Sequence, residues 1–128
     1  MTKYVIDSNA WIEYFDGTSK GEKVKEIVES KENDVYTLVL SIAEIISVIG
    51  RRGKEYQEAL KTIFSISQMV DVNIEISLKA GLIHSQVRQK IKDFGLTDAF
   101  VLALAREFKA KVLTGDPHFK GFKEAVMI

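Results

Sequence analysis

Apolar positions along the chain form short β-branched runs that alternate with longer segments of helical periodicity. The first run, residues 4–6, ends at Asp7, and its Val5 and Ile6 favour a buried strand. The same criteria predict strands at 35–40, 70–72, 111–114 and 125–128. Spacing of three and four residues predicts the helices between them: a short one from Ala10, then 22–30, 41–49, 55–65, 76–91 and 97–108.

The order of these elements predicts the architecture. Segment 97–108 is apolar on more than one side, so we expect this helix at the centre of the core. Strands that alternate with helices indicate an α/β fold, a three-layer α/β/α sandwich around a parallel sheet of four to five strands. No repeat or linker interrupts the chain, so we expect a single domain over residues 1–128. The long segment 76–91 has one apolar stripe, formed by Leu78, Leu82, Ile83, Val87 and Ile91.

Composition narrows the possible functions. Eighteen basic residues balance eighteen acidic ones, so any contact with a polyanion must be local. The absence of cysteine excludes disulfides, thiolate zinc sites and thiol catalysis. The N-terminal segment meets the charge of Asp7 after only two apolar residues, Val5 and Ile6, and this run is too short for a signal-peptide core or a membrane span. We therefore expect a cytoplasmic protein without membrane contact.

Four acidic residues follow the predicted strands in a way that gives them a common location. In a parallel sheet the carboxyl ends of all strands lie along one edge, which we call the rim, and ligands bind there. Asp7 follows the first strand, Asp116 follows 111–114 by one glycine, and Glu44 lies in the first predicted turn of helix 41–49. Asp98 begins a helix that would normally start at the opposite edge. It joins the other acids only if the preceding helix returns the chain to the rim.

Each acid also has an ordinary structural explanation. Ser41 and Glu44 match a capping box, in which the serine accepts from a backbone N–H and the glutamate accepts from the serine amide. Asp98 at a helix start is favoured by the exposed amide dipoles by roughly 0.3 to 1 kcal/mol. Asp7 can cap the next helix, and Asp116, before a proline, is a common turn residue. For any one acid alone, this explanation is the simpler one.

Taken together, the four acids point to a cation. Two carboxylates about 4 Å apart repel by roughly 4 kcal/mol at an effective dielectric of about 20, so several at one rim must protonate, separate or bind a positive ion. Magnesium prefers oxygen ligands and keeps several waters, which suits open carboxylates beside a phosphate. Such an ion makes water more acidic and offsets charge on phosphoryl oxygens. The chemistry indicated is metal-dependent phosphodiester hydrolysis.

The segments that carry these acids resemble the four motifs of PIN-domain nucleases, in order and across nearly the whole chain: VIDSNAWIEYF, SIAEI, GLTDAFVLALA and VLTGDPHF. The chain length is similar to that of VapC-type toxins of bacterial and archaeal toxin-antitoxin pairs. The resemblance implies an endoribonuclease whose catalytic, metal-binding acids hold Mg²⁺ or Mn²⁺: Asp7, Glu44, Asp98 and Asp116. It also implies an RNA substrate, an antitoxin partner, a homodimer built on the early helices, and a helix 97–108 that begins at the rim.

One residue departs from the family pattern. Many relatives carry a further acid shortly after the position of Asp116, where this chain has His118. The ligands for a second metal ion are therefore incomplete. We leave His118 outside the predicted catalytic set, because a histidine in a turn is more often a packing residue than a phosphate ligand or proton donor.

Residues beside the acids could contact the substrate. Ser8, Asn9 and Thr114 could orient ligands, or could serve only as turn and cap residues. Trp11 lies one helical turn after Asp7, where its ring could stack on a base, although a core or dimer contact fits it better. The apolar segments 9–15 and 45–49 could likewise be docking surfaces or simply be buried.

The most concentrated basic patch follows the helix of Glu44. Arg51, Arg52 and Lys54 come about two turns after that acid and could hold a phosphate backbone at a distance from the metal ion. As isolated surface charges they would have no function.

Three further functions remain open. A receiver or phosphatase of similar fold also places acids at strand ends, but such folds need a lysine after a late strand, whereas Lys111 precedes its strand. The same fold could also serve as a non-catalytic interaction module or as a stand-alone PIN nuclease in RNA processing. Metal-dependent RNA cleavage that is lost in Asp7→Asn and Asp116→Asn variants separates a nuclease from the non-nucleases.

Overall fold

A computed structural model describes all 128 residues, and each predicted strand and helix has a counterpart in it. The strands are β1 (Thr2–Ile6), β2 (Asn33–Leu38), β3 (Gln68–Val70), β4 (Lys111–Thr114) and β5 (Ala125–Met127). The helices are α1 (Ser8–Asp16), α2 (Ser19–Val28), α3 (Val39–Arg51), α4 (Gln57–Ile66), α5 (Ile74–Val87) and α6 (Leu96–Phe108). A 3₁₀ turn covers Pro117–Phe119. None of the helices combines the length and the apolar character that crossing a bilayer requires.

The five strands form one parallel sheet in the order β3-β2-β1-β4-β5. The central strand β1 places Tyr4 opposite Val35 of β2 and opposite Lys111 of β4. Because all the strands are parallel, the residues that follow β1, β2 and β4 meet at one edge, the rim. The predicted parallel sheet is confirmed, with five strands.

Alternate residues of the central strands face two separate cores, as the pleat of a strand requires. Val5 and Val112 pack with residues of α5 and α6. Ile6 and Leu113 pack on the other face with residues of α1, α2, α3 and α4. Helices therefore cover both faces of the sheet, which confirms the predicted three-layer sandwich. Five consecutive residues of α6 are buried, so its expected central position is also confirmed.

Helices α5 and α6 run antiparallel, and this decides where Asp98 lies. Lys79, near the start of α5, contacts Glu107 near the end of α6. His84 Nε2, near the end of α5, lies 3.1 Å from the Phe94 carbonyl oxygen just before α6. Only two residues separate α6 from β4, so α6 starts at the rim and runs toward the opposite edge. Helix α5 therefore returns the chain to the rim, as the position of Asp98 among the acids requires.

The junction between β2 and α3 differs from the prediction. Strand β2 ends at Leu38 rather than at residue 40, and α3 begins at Val39 with no side-chain capping bond. Ser41 is therefore inside the first turn and fully buried, so the predicted capping box with Glu44 is wrong. Val39 and Leu40 are apolar and suit either element, which is why periodicity placed the boundary two residues too late.

The apolar stripe predicted for α5 is partly wrong. Leu78 is 64% exposed and Leu82 is 60% exposed. Apolar residues lie on more than one side of α5, so periodicity alone did not identify the side that faces the sheet. The core contacts come from Ile76 and Ala80, together with the other members of the predicted stripe, Ile83, Val87 and Ile91.

Candidate active site

The structure brings the four predicted acids together at the rim, and we call this group the acidic rim. Asp7 follows β1 as the N-cap of α1, and Asp116 follows β4 as the N-cap of the 3₁₀ turn. Glu44 lies in the second turn of α3 and Asp98 in the first turn of α6. The carboxylates of Asp98 and Glu44 repel the charge of Asp7, and those of Asp116 and Glu44 repel the charge of Asp98. Four distant segments of the chain thus contribute to one cluster of negative charge.

Asp7 is the most buried member of the acidic rim. Its side chain is almost fully enclosed, with Oδ1 accepting from the Ser8 N–H at 2.9 Å and Oδ2 accepting from the Thr114 hydroxyl at 2.7 Å. Burial, with smaller contributions from the charges of Asp98 and Glu44, raises the pKa of Asp7 to about 7, although the bond from Thr114 opposes the rise. A nearby cation would relieve this cost by favouring the ionised carboxylate.

Asp98 has a capping role as well as a place at the acidic rim. Its Oδ2 accepts from the Gly95 N–H at 3.0 Å, at the N-terminus of α6. Burial and then the charges of Asp116 and Glu44 raise the pKa of Asp98, whereas the Gly95 bond and His118 lower it. The Oδ1 atom makes no hydrogen bond within the protein and is free to bind a ligand. The capping explanation and the metal-ligand explanation of this acid are therefore compatible.

His118, predicted to lie outside the catalytic set, is close to two of the acids. The Asp116 Oδ1 atom accepts from the His118 N–H at 2.9 Å and lies 3.3 Å from the ring Nδ1. One ligand atom from each of Asp98, Asp116 and His118 can be chosen so that all three lie within 4.8 Å of one another. The available signal was the turn itself, because an aspartate that bonds the N–H two residues later folds that residue back beside it.

The acidic rim fits a divalent cation. No lysine or arginine forms an ion pair with any of the four acids, and the nearest basic partner is His118. Four of the donor groups are carboxylates, whose oxygens hard cations such as Mg²⁺ prefer. One ligand atom from each of Asp98, Asp116 and His118 lies within 4.8 Å of the other two, an arrangement that could hold one ion. A positive ion would offset charges that the protein itself leaves uncompensated.

Thr114 and Asn9 hold the acidic rim in place, Thr114 from inside the protein and Asn9 from its surface. Thr114 is fully buried, and its hydroxyl donates to Asp7 and accepts from the Asp116 N–H at 2.9 Å. Asn9 Oδ1 accepts from the Gly115 N–H at 2.7 Å, and a Cβ on Gly115 would lie only 2.7 Å from that oxygen. Thr114 has no exposed atom with which to contact a substrate, so its predicted substrate contact is replaced by a positioning role.

A groove on α3 begins beside the acidic rim. It has a volume of about 420 Å³ and is lined by Ser8, Ala43, Glu44, Ser47, Val48 and Arg51. We call it the α3 groove. Of the two arginines predicted to bind substrate, Arg51 lines this groove, whereas Arg52 pairs with Asp16 through a 2.8 Å contact. Ser8, which is half-buried, also lines the groove and lies next to Asp7 at its rim end.

Trp11 belongs to the core. Its side chain is fully buried, and Nε1 donates to the Thr37 hydroxyl at 3.0 Å, which in turn lies 2.6 Å from the Ser67 hydroxyl. The Trp11 ring therefore cannot stack on a base, and the core position that fitted it better is confirmed. The segments 9–15 and 45–49 also bury their main apolar residues, including Ile45 and Ile49.

Comparisons with known proteins agree with this architecture. The family model of the PIN domain matches residues 4–125. No curated protein matches the chain by sequence.

Three solved structures illustrate the likeness, each at 17% sequence identity. The chain is similar to a toxin-antitoxin complex from Klebsiella pneumoniae, with a TM-score of 0.75 over 97% of this chain and 96% of that chain. VapBC2 from Rickettsia felis, bound to a DNA fragment from its promoter, gives 0.77 over 99% and 98% at the same 17% identity. VapC20 from Mycobacterium tuberculosis, a sarcin-ricin loop cleaving toxin, gives 0.73 over 94% and 95% at 17% identity. The predicted resemblance is confirmed, and the chain belongs to the PIN domain family.

Proposed function

We propose that this protein is a divalent-metal-dependent endoribonuclease that hydrolyses RNA phosphodiester bonds. The observation that carries the proposal is the acidic rim, where carboxylates from four distant segments meet without a lysine or arginine partner. Caps and turns explain single acids, but they do not require four of them in one place. Membership of the PIN domain family, in which nuclease activity is usual, supports the same conclusion.

The chain's own residues have distinct parts in this proposal. Thr114 fixes the orientation of Asp7, and the Gly95 N–H fixes that of Asp98. An ion held here would supply an acidified water and would offset charge on the phosphoryl oxygens. The groups that would hold it are the four carboxylates of the acidic rim, Asp7, Glu44, Asp98 and Asp116, with a ring nitrogen of His118 as a further donor.

The ion is Mg²⁺ or Mn²⁺ in this proposal, and His118 favours Mn²⁺. Magnesium takes oxygen ligands almost exclusively in such sites, whereas imidazole nitrogen suits first-row transition metals. The ring nitrogen of His118 lies among the carboxylates of Asp98 and Asp116, where many relatives would contribute another oxygen. A mixed nitrogen and oxygen donor set therefore shifts the preference toward manganese.

Cleavage of single-stranded RNA by the purified chain tests the proposal. We expect cleavage with Mn²⁺ or Mg²⁺ and none with a chelator. Asp7→Asn and Asp116→Asn should each reduce the rate by more than about 100-fold, because each removes a negative ligand. Glu44→Gln should also lose activity while its free energy of unfolding stays within about 0.5 kcal/mol of the wild type, since Glu44 makes no capping bond.

The matched control is Glu58→Gln, which neutralises an exposed acid in the first turn of α4. It should cleave at the wild-type rate. Equal cleavage in chelator, or full activity in both aspartate variants, would reject the metal-dependent mechanism.

We also propose that the protein is the toxin of a toxin-antitoxin pair, acts in the cytoplasm and forms a homodimer. Similar solved structures include toxin-antitoxin complexes, which supports an antitoxin partner. No large apolar side chain of α1 or α2 is exposed, whereas α5 exposes Ile74, Leu78 and Leu82 at intervals of four residues. Exposed apolar patches of this kind mark interfaces. Light scattering of the purified chain measures its oligomeric state.

A further inference from the structure

The α3 groove leads from the acidic rim to a single basic side chain. Glu44 and Ser8 line the groove at the rim, and Arg51 lines it two helical turns further along α3. Seven residues of helix correspond to a rise of about 10 Å, and residues seven apart lie on the same side of a helix. The groove is therefore long enough for a strand that extends beyond a phosphate bound at the acids.

The guanidinium of Arg51 is available for a ligand. Its Nε donates to the Ser47 carbonyl oxygen of its own helix at 3.3 Å, and neither terminal nitrogen has a hydrogen bond or an ion pair. Side chains on a helix tilt toward its N-terminus, which in α3 is the direction of Glu44 and the rim. The free edge of the guanidinium presents parallel N–H donors in the geometry that binds two oxygens of one phosphate.

Arg52 differs from its neighbour. Its Nη1 lies 2.8 Å from the Asp16 carboxylate at the end of α1, and it does not line the α3 groove. This ion pair joins the ends of α1 and α3, and the Asp16 carboxylate neutralises the charge of Arg52. The sequence treats the two arginines as one basic patch, whereas the structure gives them separate surroundings.

We propose that Arg51 binds an RNA phosphate next to the one that is cleaved, with the RNA backbone lying in the α3 groove. The inference rests on the proposed nuclease function and adds the direction in which the strand leaves the site. Ser8 and Ser47 can donate hydrogen bonds, but Arg51 is the one cationic residue that lines this groove. Because Arg51 is remote from the acids, it acts on substrate binding rather than on the chemical step.

Steady-state cleavage of a single-stranded RNA oligomer tests the assignment. We expect Arg51→Gln to raise KM about tenfold with little change in kcat, the pattern of an interaction present equally in the ground and transition states. Loss of one phosphate contact should also make the dependence of log(kcat/KM) on log salt less steep by about 0.7 for a single strand. Arg51→Lys should restore the wild-type salt dependence but lower KM only part of the way back to the wild-type value. Lysine keeps the positive charge but lacks the planar pair of N–H donors that binds two phosphate oxygens.

Arg52→Gln is the matched control, since it removes the same charge one residue away. It should leave KM and the salt dependence at the wild-type values. Equal KM in the Arg51→Gln and wild-type proteins, or equal increases in both glutamine variants, would overturn the assignment.

Binding of the same oligomer in chelator, measured by fluorescence anisotropy, separates this inference from the proposed function. If the wild type fails to cleave but binds RNA more tightly than Arg51→Gln does, the groove stands and the hydrolytic function fails. If the wild type cleaves while the two proteins bind equally, the function stands and the role of Arg51 fails.

Discussion

At the scale of single residues, the turn after β4 decides which groups meet the acids. Asp116 accepts from the His118 N–H, and this bond folds the histidine ring back beside the carboxylate. A ring nitrogen of His118 thus lies within 4.8 Å of ligand atoms of Asp98 and Asp116. Under the proposed function, the residue at this position would determine whether the ion has a nitrogen donor.

Substitution of His118 tests whether this residue contributes a donor to the ion. His118→Asp should increase the stabilisation of the protein by Mg²⁺ relative to Mn²⁺, because the exchange replaces a nitrogen donor with an oxygen donor. Thermal unfolding with each ion measures the change, and electron spin-echo spectroscopy of bound Mn²⁺ should show coupling to nitrogen only in the wild type. His84→Asn, at the other histidine, should alter neither result. A wild-type spectrum without nitrogen coupling would show that His118 is not a ligand.

The location of Glu44 was predicted correctly, but its capping bond was not. The sequence predicted its place at the rim, and the structure puts its charge near Asp7 and Asp98. The capping box predicted for it was wrong, because the helix starts two residues earlier than Ser41. A four-residue motif cannot reveal this, since Val39 and Leu40 fit a strand or a helix equally well.

At the scale of elements, the buried hydroxyls show which polar groups join secondary structures. Thr37 of β2 accepts from Trp11 of α1 and lies 2.6 Å from the Ser67 hydroxyl, just before β3. Ser41 of α3 is equally buried, but its hydroxyl has no hydrogen-bond partner. The first hydroxyl connects a helix to the sheet, whereas the second makes no connection.

These two residues give opposite predictions for stability. Thr37→Val keeps the shape but leaves the Trp11 N–H without its acceptor, so we expect a loss of about 1 to 3 kcal/mol in the free energy of unfolding. Ser41→Ala removes an unpaired hydroxyl and should be neutral or stabilising. Urea unfolding monitored by Trp11 fluorescence measures both. Equal losses in the two variants would mean that shape, rather than hydrogen bonding, sets the cost.

The strands and helices were largely predictable from the sequence, whereas the packing contacts between them were not. Periodicity indicated all five strands and six helices because each has its own apolar pattern, although the bounds differ: the strand predicted at 70–72 is Gln68–Val70, and the helix predicted at 76–91 ends at Val87. It could not choose the buried side of α5, whose Leu78 and Leu82 are exposed. The start of α6 at the rim required knowledge of packing between α5 and α6, which came from family resemblance rather than from periodicity.

At the scale of the whole molecule, we expect the acidic rim to make the free energy of unfolding depend on pH. The pKa of Asp7 is raised from its ordinary 3.8 to about 7, and the pKa of Asp98 is also raised. At a pH between the ordinary and the raised pKa of such an acid, the folded state holds a proton that the unfolded state has lost. The free energy of unfolding therefore falls as the pH rises through this range. For Asp7 the full effect is on the order of 4 kcal/mol, from about 1.4 kcal/mol for each pKa unit.

Metal-free protein should therefore be less stable at about pH 8 than at about pH 5, and added Mn²⁺ or Mg²⁺ should recover most of the difference. Asp7→Asn should flatten the dependence, because asparagine does not titrate. Urea unfolding in chelator at several pH values provides the measurement. Asp71→Asn, at an exposed acid, should keep the wild-type slope, and a wild-type slope in Asp7→Asn would contradict the origin assigned to the effect.

The Thr114 bond to Asp7 joins groups 107 positions apart in the chain. During translation the first motif leaves the ribosome long before β4 has been made, so a partly synthesised chain has its first acid but no completed centre. Under the proposed function, the growing polypeptide would be harmless to the messenger that encodes it. Toxicity would begin only once the late strand docks beside β1, which leaves an interval for an antitoxin to engage the nascent protein.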